Sequence, residues 1–472
     1  MRCIAPSMTV VMLVVVLMLL ITVGCTPVTP LDVGKSPVAP PEAFSTAGDR
    51  PVEGVWWQEL DDPALQELIA MALGRNFDLR AARQRLLQAA ALTWESAADM
   101  YPQLDVNGGA TTSRSRTRTA GGTTTATNLL VGLAAGYEID LWGRIRALQD
   151  GARFDELGAG EGLQAAAHSI AAEVALAWYE LAEGYHQLEL LRQQQKVNTV
   201  GLRLVRLRFN AGQIGIADVL QQQQLIESKS GEQSRQRAAI RQLENRLAIL
   251  TGSSPGQFTL EHTPQLIDLP PLPDTGMPLA LLNSRPDVKR SYYDVLAADR
   301  RVAAAIAARF PRLSIAAEAN TSGEAEDLFS NWFSSLAANL VGPLIDGGKR
   351  KAEVDRRGAA AREKLYMYGQ AIIDAIGEVE NALKQEEEQK KLLKSLAIQL
   401  DLATKTVENV RNRYKQGAEN YQRVLTARLS QQTLQRNILT ARQQLISFRI
   451  ALYRALGGEI PDDMIARPTN NE

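Results

Sequence analysis

The 472-residue chain has two cysteines, three histidines, few aromatics and a formal net charge of −1. Each shortage removes a class of function. Both cysteines, Cys3 and Cys25, lie near the N-terminus, which leaves the body without a disulfide framework or a reactive thiol. His168, His186 and His262 are too far apart in sequence to match a metal-binding spacing. Charges of both signs are interspersed, so the clustered basic patch of a nucleic-acid binder is missing. There is no GxSxG, no P-loop and no glycine-rich dinucleotide fingerprint, and neither catalysis nor a cofactor is expected. Beyond the N-terminus no run of 18 apolar residues occurs, which excludes a further membrane-spanning helix. What the chain does have is Ala, Leu, Gln and mixed charge, a composition suited to long helices.

The N-terminus carries an apolar run, MTVVMLVVVLMLLITVGC, from Met8 to Cys25. It is short for a spanning helix and reads as an export signal over residues 1–24. Gly24-Cys25 resembles a bacterial lipoprotein cleavage site, which implies a covalent lipid on Cys25. The Pro-rich stretch that follows reads as an extended tether over 25–60.

The rest of the chain is written twice. Tyr101-Pro102-Gln103-Leu104 returns as Phe310-Pro311-Arg312-Leu313, and Asp140-Leu141-Trp142-Gly143 returns as Asp346-Gly347-Gly348. Phe209-Asn210-Ala211-Gly212 pairs with Tyr414-Lys415-Gln416-Gly417, and Leu250-Thr251-Gly252 with Leu456-Gly457-Gly458. These landmarks keep their order at shifts of 205–209 positions. A tandem duplication is expected, with repeats over 61–260 and 261–460 and a tail over 461–472. Each repeat reads as a helix (63–99, then 278–309), two short strands, a very long helix, a Gly-containing turn and a return helix.

The strands show apolar residues at period two. The rows are Leu104, Val106, Gly108, Ala110; then Leu129, Val131, Leu133, Ala135, Tyr137, Ile139; then Leu313, Ile315, Ala317, Ala319; then Leu336, Ala338, Leu340, Gly342, Leu344. At about 9–11 residues each they have the length of tilted membrane strands. Pattern alone fits a pair of soluble amphipathic hairpins as well. If they lie in lipid, four strands cannot close a barrel, and several copies are required.

From Val174 to Phe209 a 3–4 spacing picks out a mostly apolar seam, and the frame from Val379 to Tyr414 repeats it. That is the signature of coiled-coil packing. A helix from Gly143 to Phe209 would be about 100 Å long. The return helices are rich in Gln (221–224, 233, 236, 431–432, 435, 443–444), which suits either a wall facing a water-filled lumen or an outer solvent face. The run Glu386-Glu387-Glu388 with Lys390-Lys391 reads as a solvated helix face.

The segments YEIDLWGR (137–144), RFNAG (208–212) with DVL (218–220), SRPDV (284–288), GPLIDGG (342–348) and RYKQGAENYQRVL (413–425) together resemble the TolC-type outer-membrane efflux channels, in their lipoprotein branch. The resemblance implies a mainly α fold with a membrane β-barrel. Duplicated coiled-coil hairpins form a tunnel, and four strands per chain enter a shared 12-stranded barrel of a homotrimer. It implies passive conduction from the periplasm to the exterior, with a periplasmic adaptor and an inner-membrane pump as partners and outer-membrane lipid around the barrel. It places a periplasmic gate at Asp218, Tyr414, Glu419, Asn420, Tyr421 and Arg423, and adaptor contacts at the turns of Gly212, Gly215 and Gly417. Arg423 and Thr426 stand in slots that are acidic in some members, which argues against an anionic ring. The competing readings are a lipid-anchored periplasmic adaptor and a structural coiled-coil protein without a pore.

Overall fold

A computed structural model describes residues 37–48, 50, 54–116, 123–260 and 262–465. The chain divides into Met1–Lys35 and Ser36–Glu472. The first unit, with the export signal and Cys25, lies outside the described residues, as do the first part of the tether and residues 466–472.

The elements of the second unit run in the duplicated order. They are α1 (Pro63–Arg75), α2 (Phe77–Ala98), β1 (Gln103–Arg116), β2 (Thr123–Ile139), α3 (Arg144–Asn210) and α4 (Ile216–Leu250). Then come α5 (Leu281–Ser284), α6 (Pro286–Ala307), β3 (Arg312–Gly323), β4 (Trp332–Val341), α7 (Lys349–Lys415) and α8 (Tyr421–Leu456). The helix expected over 63–99 is broken at Asn76. Its side chain accepts from the amides of Asp78 and Leu79 and so caps a new helix. Pro286 does the same to the helix expected over 278–309, because proline is tolerated only at a helix start. Among the described residues no helix is long and apolar enough to cross a membrane.

α3 and α7 are each 67 residues long, about 100 Å at 1.5 Å per residue. Each begins after a left-handed glycine, Gly143 (φ 73°) and Gly348 (φ 85°). An aspartate just upstream satisfies the first free amides: Asp140 accepts from Ile145 and Arg146, and Asp346 from Gly348 and Arg350. The expected seam is the packed one. From Val174 to Phe209 only Gln195, Leu202 and Phe209 are not buried, and none of the second seam's residues is exposed.

The four strands form one antiparallel sheet in the order β1-β2-β3-β4. Register puts the apolar rows on one face: Val106 opposes Leu133, Leu133 opposes Ala319, Ile315 opposes Ala338, and Leu313 opposes Leu340. The other face carries Asp105, Asn107, Glu138, Glu318, Asn320 and Asn339. β1 and β2 are longer than expected. The Thr-rich stretch read as loop continues the ladder to Arg116 and Thr123, as β-branched residues favour, with Thr112 and Thr127 hydroxyls 3.1 Å apart. β4 stops at Val341, so Gly342 and Leu344 fall beyond the sheet. At the base of the sheet Trp142 of the first repeat stacks on Phe310 of the second (4.7 Å), and its indole N–H donates to the Pro311 carbonyl (2.8 Å).

Three readings need correction. The described residues between 37 and 60 are not merely tether, since apolar rings this large gain from burial. Val55, Trp56, Trp57 and Leu60 are buried in the main core, Trp56 stacks on Tyr453, and Ser45 binds Glu380. The tail likewise begins inside the body, because Ile465 belongs to the same core. Glu386 is not on a solvated face: at 2% side-chain exposure it makes a two-pronged pair with fully buried Arg449, which also donates to the Pro270 and Pro271 carbonyls. Glu387 and Glu388 do face solvent, paired with Lys384 and Lys391.

Burial alone would raise the Glu386 carboxyl, but Arg449 and Lys390 outweigh it and hold it below its ordinary value. A carboxylate depressed in the folded state stabilises above its unfolded pKa, and that contribution is lost as pH falls through the folded one. Arg449→Met strands a buried carboxylate and is expected to cost about 3–5 kcal/mol, with Glu386→Gln/Arg449→Met costing much less. Thermal unfolding between pH 7 and pH 3 checks both points, since the double variant should lose part of the acid sensitivity.

Candidate functional site at the hairpin tips

The two turns are built alike. In the first, the Gly212 amide donates to Phe209 and the Gln213 amide to Arg208 (both 2.9 Å). In the second, Gly417 donates to Tyr414 (3.1 Å) and Ala418 to Arg413 (3.0 Å). Both are Schellman caps, which need a left-handed residue after the helix; Gly212 (φ 68°) and Gly417 (φ 77°) supply it. Gly215 has a different role, as the extended N-cap of α4 with no side chain to offer. Asn420 holds the matching position before α8 and accepts from the Arg423 amide (3.0 Å).

Behind the turns a small core of Val205, Val219, Leu225, Val410, Tyr414, Tyr421, Val424 and Leu425 joins both hairpins. The cross-repeat joint is polar and specific. Arg208 donates to the carbonyls of Tyr414 (3.0 Å) and Lys415 (3.2 Å), and its guanidinium lies over the Tyr414 ring at 4.2 Å. A cation therefore sits at the carbonyl end of α7, where the helix dipole is negative. Tyr421 packs on Tyr414 (5.6 Å), and its hydroxyl donates to Gln222, which in turn donates to the Asn198 carbonyl (2.6 Å). Gln432 donates to the Asn198 side chain (3.3 Å), and Gln194 to the Gln432 carbonyl (3.2 Å). These glutamines bond helix to helix, so their role is not explained by a lumen-facing or solvent-facing surface alone. Burial pushes the Tyr421 phenol up to about 12 and also raises Tyr414. Both remain neutral at physiological pH; the Tyr421 hydroxyl donates to Gln222, whereas the Tyr414 hydroxyl is buried without a hydrogen-bond partner among the described residues. Burial lowers Arg428, although Tyr421 opposes that shift.

Of the residues expected at the gate, Tyr414 and Tyr421 are brought together within the second hairpin, and each is bonded to the first repeat, Tyr414 by Arg208 and Tyr421 by Gln222. Glu419, Asn420 and Arg423 stay local to their own turn, with Glu419 3.4 Å from Arg423 and 4.0 Å from Arg413. Asp218 is close enough to raise both tyrosines electrostatically, after burial and other charges, but its carboxylate makes no hydrogen bond to either. Arg208 and Gln222 were not singled out from sequence. Arg208 stands inside the RFNAG landmark, and Gln222 inside a four-glutamine run that hides which member is buried.

Long paired hairpins under a sheet apolar on one face and unpaired at both edges define a membrane channel protein of the outer-membrane type. A family model described as outer membrane efflux protein matches residues 68–253 and 278–458. The chain belongs to that family. It is similar to the pyoverdine export outer membrane protein OpmQ of Pseudomonas aeruginosa, 29% identical over 455 residues, covering 92% of this chain and 94% of OpmQ. It is also similar to the cation efflux system protein CusC of Escherichia coli, 26% identical over 433 residues, covering 87% and 90%. A solved membrane protein from Pseudomonas aeruginosa superposes with a TM-score of 0.83 at 27% identity, covering 92% of this chain and 99% of that one.

Arg208→Ala removes two charge-assisted bonds from the second turn. Amide exchange at Gln416, Gly417 and Ala418 should quicken roughly 10- to 100-fold, as loss of about 1.5–3 kcal/mol implies. Exchange in the core helices around Leu181 should not change, and mass spectrometry on peptides from the two regions checks the contrast.

Proposed function

We propose that the protein is the outer-membrane channel of a tripartite efflux system, a homotrimer that passes small molecules from the periplasm to the exterior without chemistry of its own. The observation that carries this reading is the sheet. One apolar face runs in register across all four strands, while β1 and β4 each leave a ladder open. On the apolar face of these edge strands Leu104 is 70% and Leu336 78% exposed, as lipid-facing residues would be in a single chain. Lipid does not tolerate an open edge, so β4 of one copy pairs with β1 of the next, and three copies give 12 strands. The names of OpmQ and CusC, an export protein and an efflux system component, support the transport class. Their cargoes, pyoverdine and cations, differ and leave this chain's substrate open.

The tips would then be the periplasmic gate and the surface for an adaptor coupled to an inner-membrane pump. Tyr414 and Tyr421, held by Arg208 and Gln222, are the residues suited to keep the two hairpins of a copy together; Glu419, Asn420 and Arg423 shape the second turn. Gly212, Gly215 and Gly417 form the exposed ends available to the adaptor. Repeats over 61–260 and 261–460 and a lipid on Cys25 complete the proposal. No feature favours an adaptor or a poreless coiled-coil protein, neither of which requires a sheet of this kind.

Reconstituted protein should migrate as a heat-modifiable trimer and show discrete single-channel conductance in planar bilayers. A monomer without conductance after insertion would reject the channel. Arg208→Ala and Tyr421→Phe are each expected to raise conductance, Asp218→Ala less so, since Asp218 holds neither tyrosine directly. Cys25→Ser should abolish incorporation of labelled palmitate, and unchanged labelling would remove the lipid assignment.

A further inference from the structure

β1 and β2 outlast the rest of the sheet. β2 meets β3 only from Leu129 to Ile139, so residues 123–128 pair with β1 alone. The ladder between β1 and β2 has no bulge, since pairing runs without a skipped residue from Gln103 opposite Gly136 to Arg116 opposite Thr123. Side chains therefore alternate strictly, and the face that carries Leu104 and Val106 also carries Thr112, Arg114 and Arg116. On β2 the same face runs from Ile139 to Leu129 and then becomes Thr127, Thr125 and Thr123. Apolar character ends at one level on both strands, where Ala110 opposes Leu129.

The length of the apolar row matches a membrane. Leu129 to Ile139 spans about 34 Å along the strand, or about 25 Å of height at a barrel tilt of about 40°, which is the height of an outward apolar band. Arg114 and Arg116 then stand roughly 10 and 16 Å above the upper edge of that band. They are clear of the hydrocarbon, where a charge on this face would be strongly destabilising, and their stems can lean back to the headgroup layer. On the second hairpin the outward row ends in Trp332, 72% exposed, an amphipathic ring that favours the same boundary.

Both arginines are exposed, and neither has an ion-pair or hydrogen-bond partner among the described residues. The sequence from 111 to 128 contains no Asp or Glu to neutralise them. The opposite face of the same stretch carries neutral Ser113 and Ser115, so the charge is confined to the side turned away from the lumen. We infer that Arg114 and Arg116 form a binding site for the phosphate groups of the outer leaflet's anionic lipid, the phosphorylated glycolipid of a bacterial outer membrane. The two side chains leave one strand face about 7 Å apart, and each guanidinium fork can hold a phosphate through two parallel bonds. Thr123 and Thr125, opposite them on that face, offer hydroxyl donors beside the same ligand. A role in pore charge would need the arginines where the serines are. The inference rests on the channel reading, because it requires the apolar row to lie in lipid.

Titration of the purified full-length trimer with fluorescent lipopolysaccharide tests it. Arg114→Gln or Arg116→Gln should weaken binding about fivefold, and Arg114→Gln/Arg116→Gln about 30-fold. Neither side chain is packed, so heat-modifiable migration and conductance should not change. Lipopolysaccharide stripped of its phosphates should bind the wild type no better than intact lipid binds the double variant. Millimolar inorganic phosphate should leave bound lipid in place, whereas full displacement would make a free anion the ligand and overturn the lipid assignment. Ser113→Arg/Ser115→Arg, added to the double variant, restores the charge on the wrong face and should not recover binding; recovery would reduce the effect to net charge and reject the site. Equal binding by the wild type and a conducting double variant overturns the site and leaves the channel standing. A wild-type protein that neither trimerises nor conducts removes the channel reading itself.

Discussion

The outer edges of β1 and β4 govern the rest of the molecule. A backbone amide or carbonyl in hydrocarbon has no water to bind, and each one left unpaired costs several kcal/mol. The sheet here pairs three of its interfaces with long ladders and leaves two edges open. An isolated copy therefore cannot be the membrane form. Closure by other copies brings the helix hairpins below the sheet into a ring, because Trp142, Phe310 and Pro311 tie the two strand pairs together where the long helices begin. Assembly, pore and tunnel follow from one unmet hydrogen-bonding requirement.

The helices solve a different problem. Two 67-residue helices packed only through apolar side chains could slide by a turn with little penalty. Amides at intervals prevent this. Gln187 donates to the Arg436 carbonyl, Gln194 to that of Gln432, Gln236 to that of Gly184, and Gln389 to that of Ala441. Each bond exists in one register only, and a slip would bury an unpaired amide at about 1–3 kcal/mol. The Glu386–Arg449 pair adds a fixed point and holds the Pro270-Pro271 segment against the bundle.

Sequence alone carried the periodic and the repeated. The four apolar rows align in one face because strand side chains alternate strictly, and the coiled-coil seams packed because their spacing is sustained over many turns. Single long-range partners were not legible. Glu386 sits in an acidic run that looks solvated, and its partner lies 63 positions away. Residues 55–60 follow a Pro-rich stretch, yet Trp56 finds Tyr453 at the other end of the chain. At the tips the glycines were readable from backbone requirements. Arg208 was not, because its ligands are carbonyls, which every residue has.

The two halves differ most where they turn. Phe209, Gly215 and Ile216 of the first repeat stand where the second has Tyr414, Asn420 and Tyr421. The phenols and the capping amide therefore belong to the second repeat, while Arg208 and Gln222, which hold the tyrosines, belong to the first. Gln222 itself corresponds to Ala427, so the reciprocal hydrogen bond cannot form. In a ring of alternating repeats, the joints inside a copy are thus chemically different from the joints between copies. Different joints need not part at the same free energy. A duplicated chain can keep one set closed while the other yields, which a ring of six identical hairpins could not do.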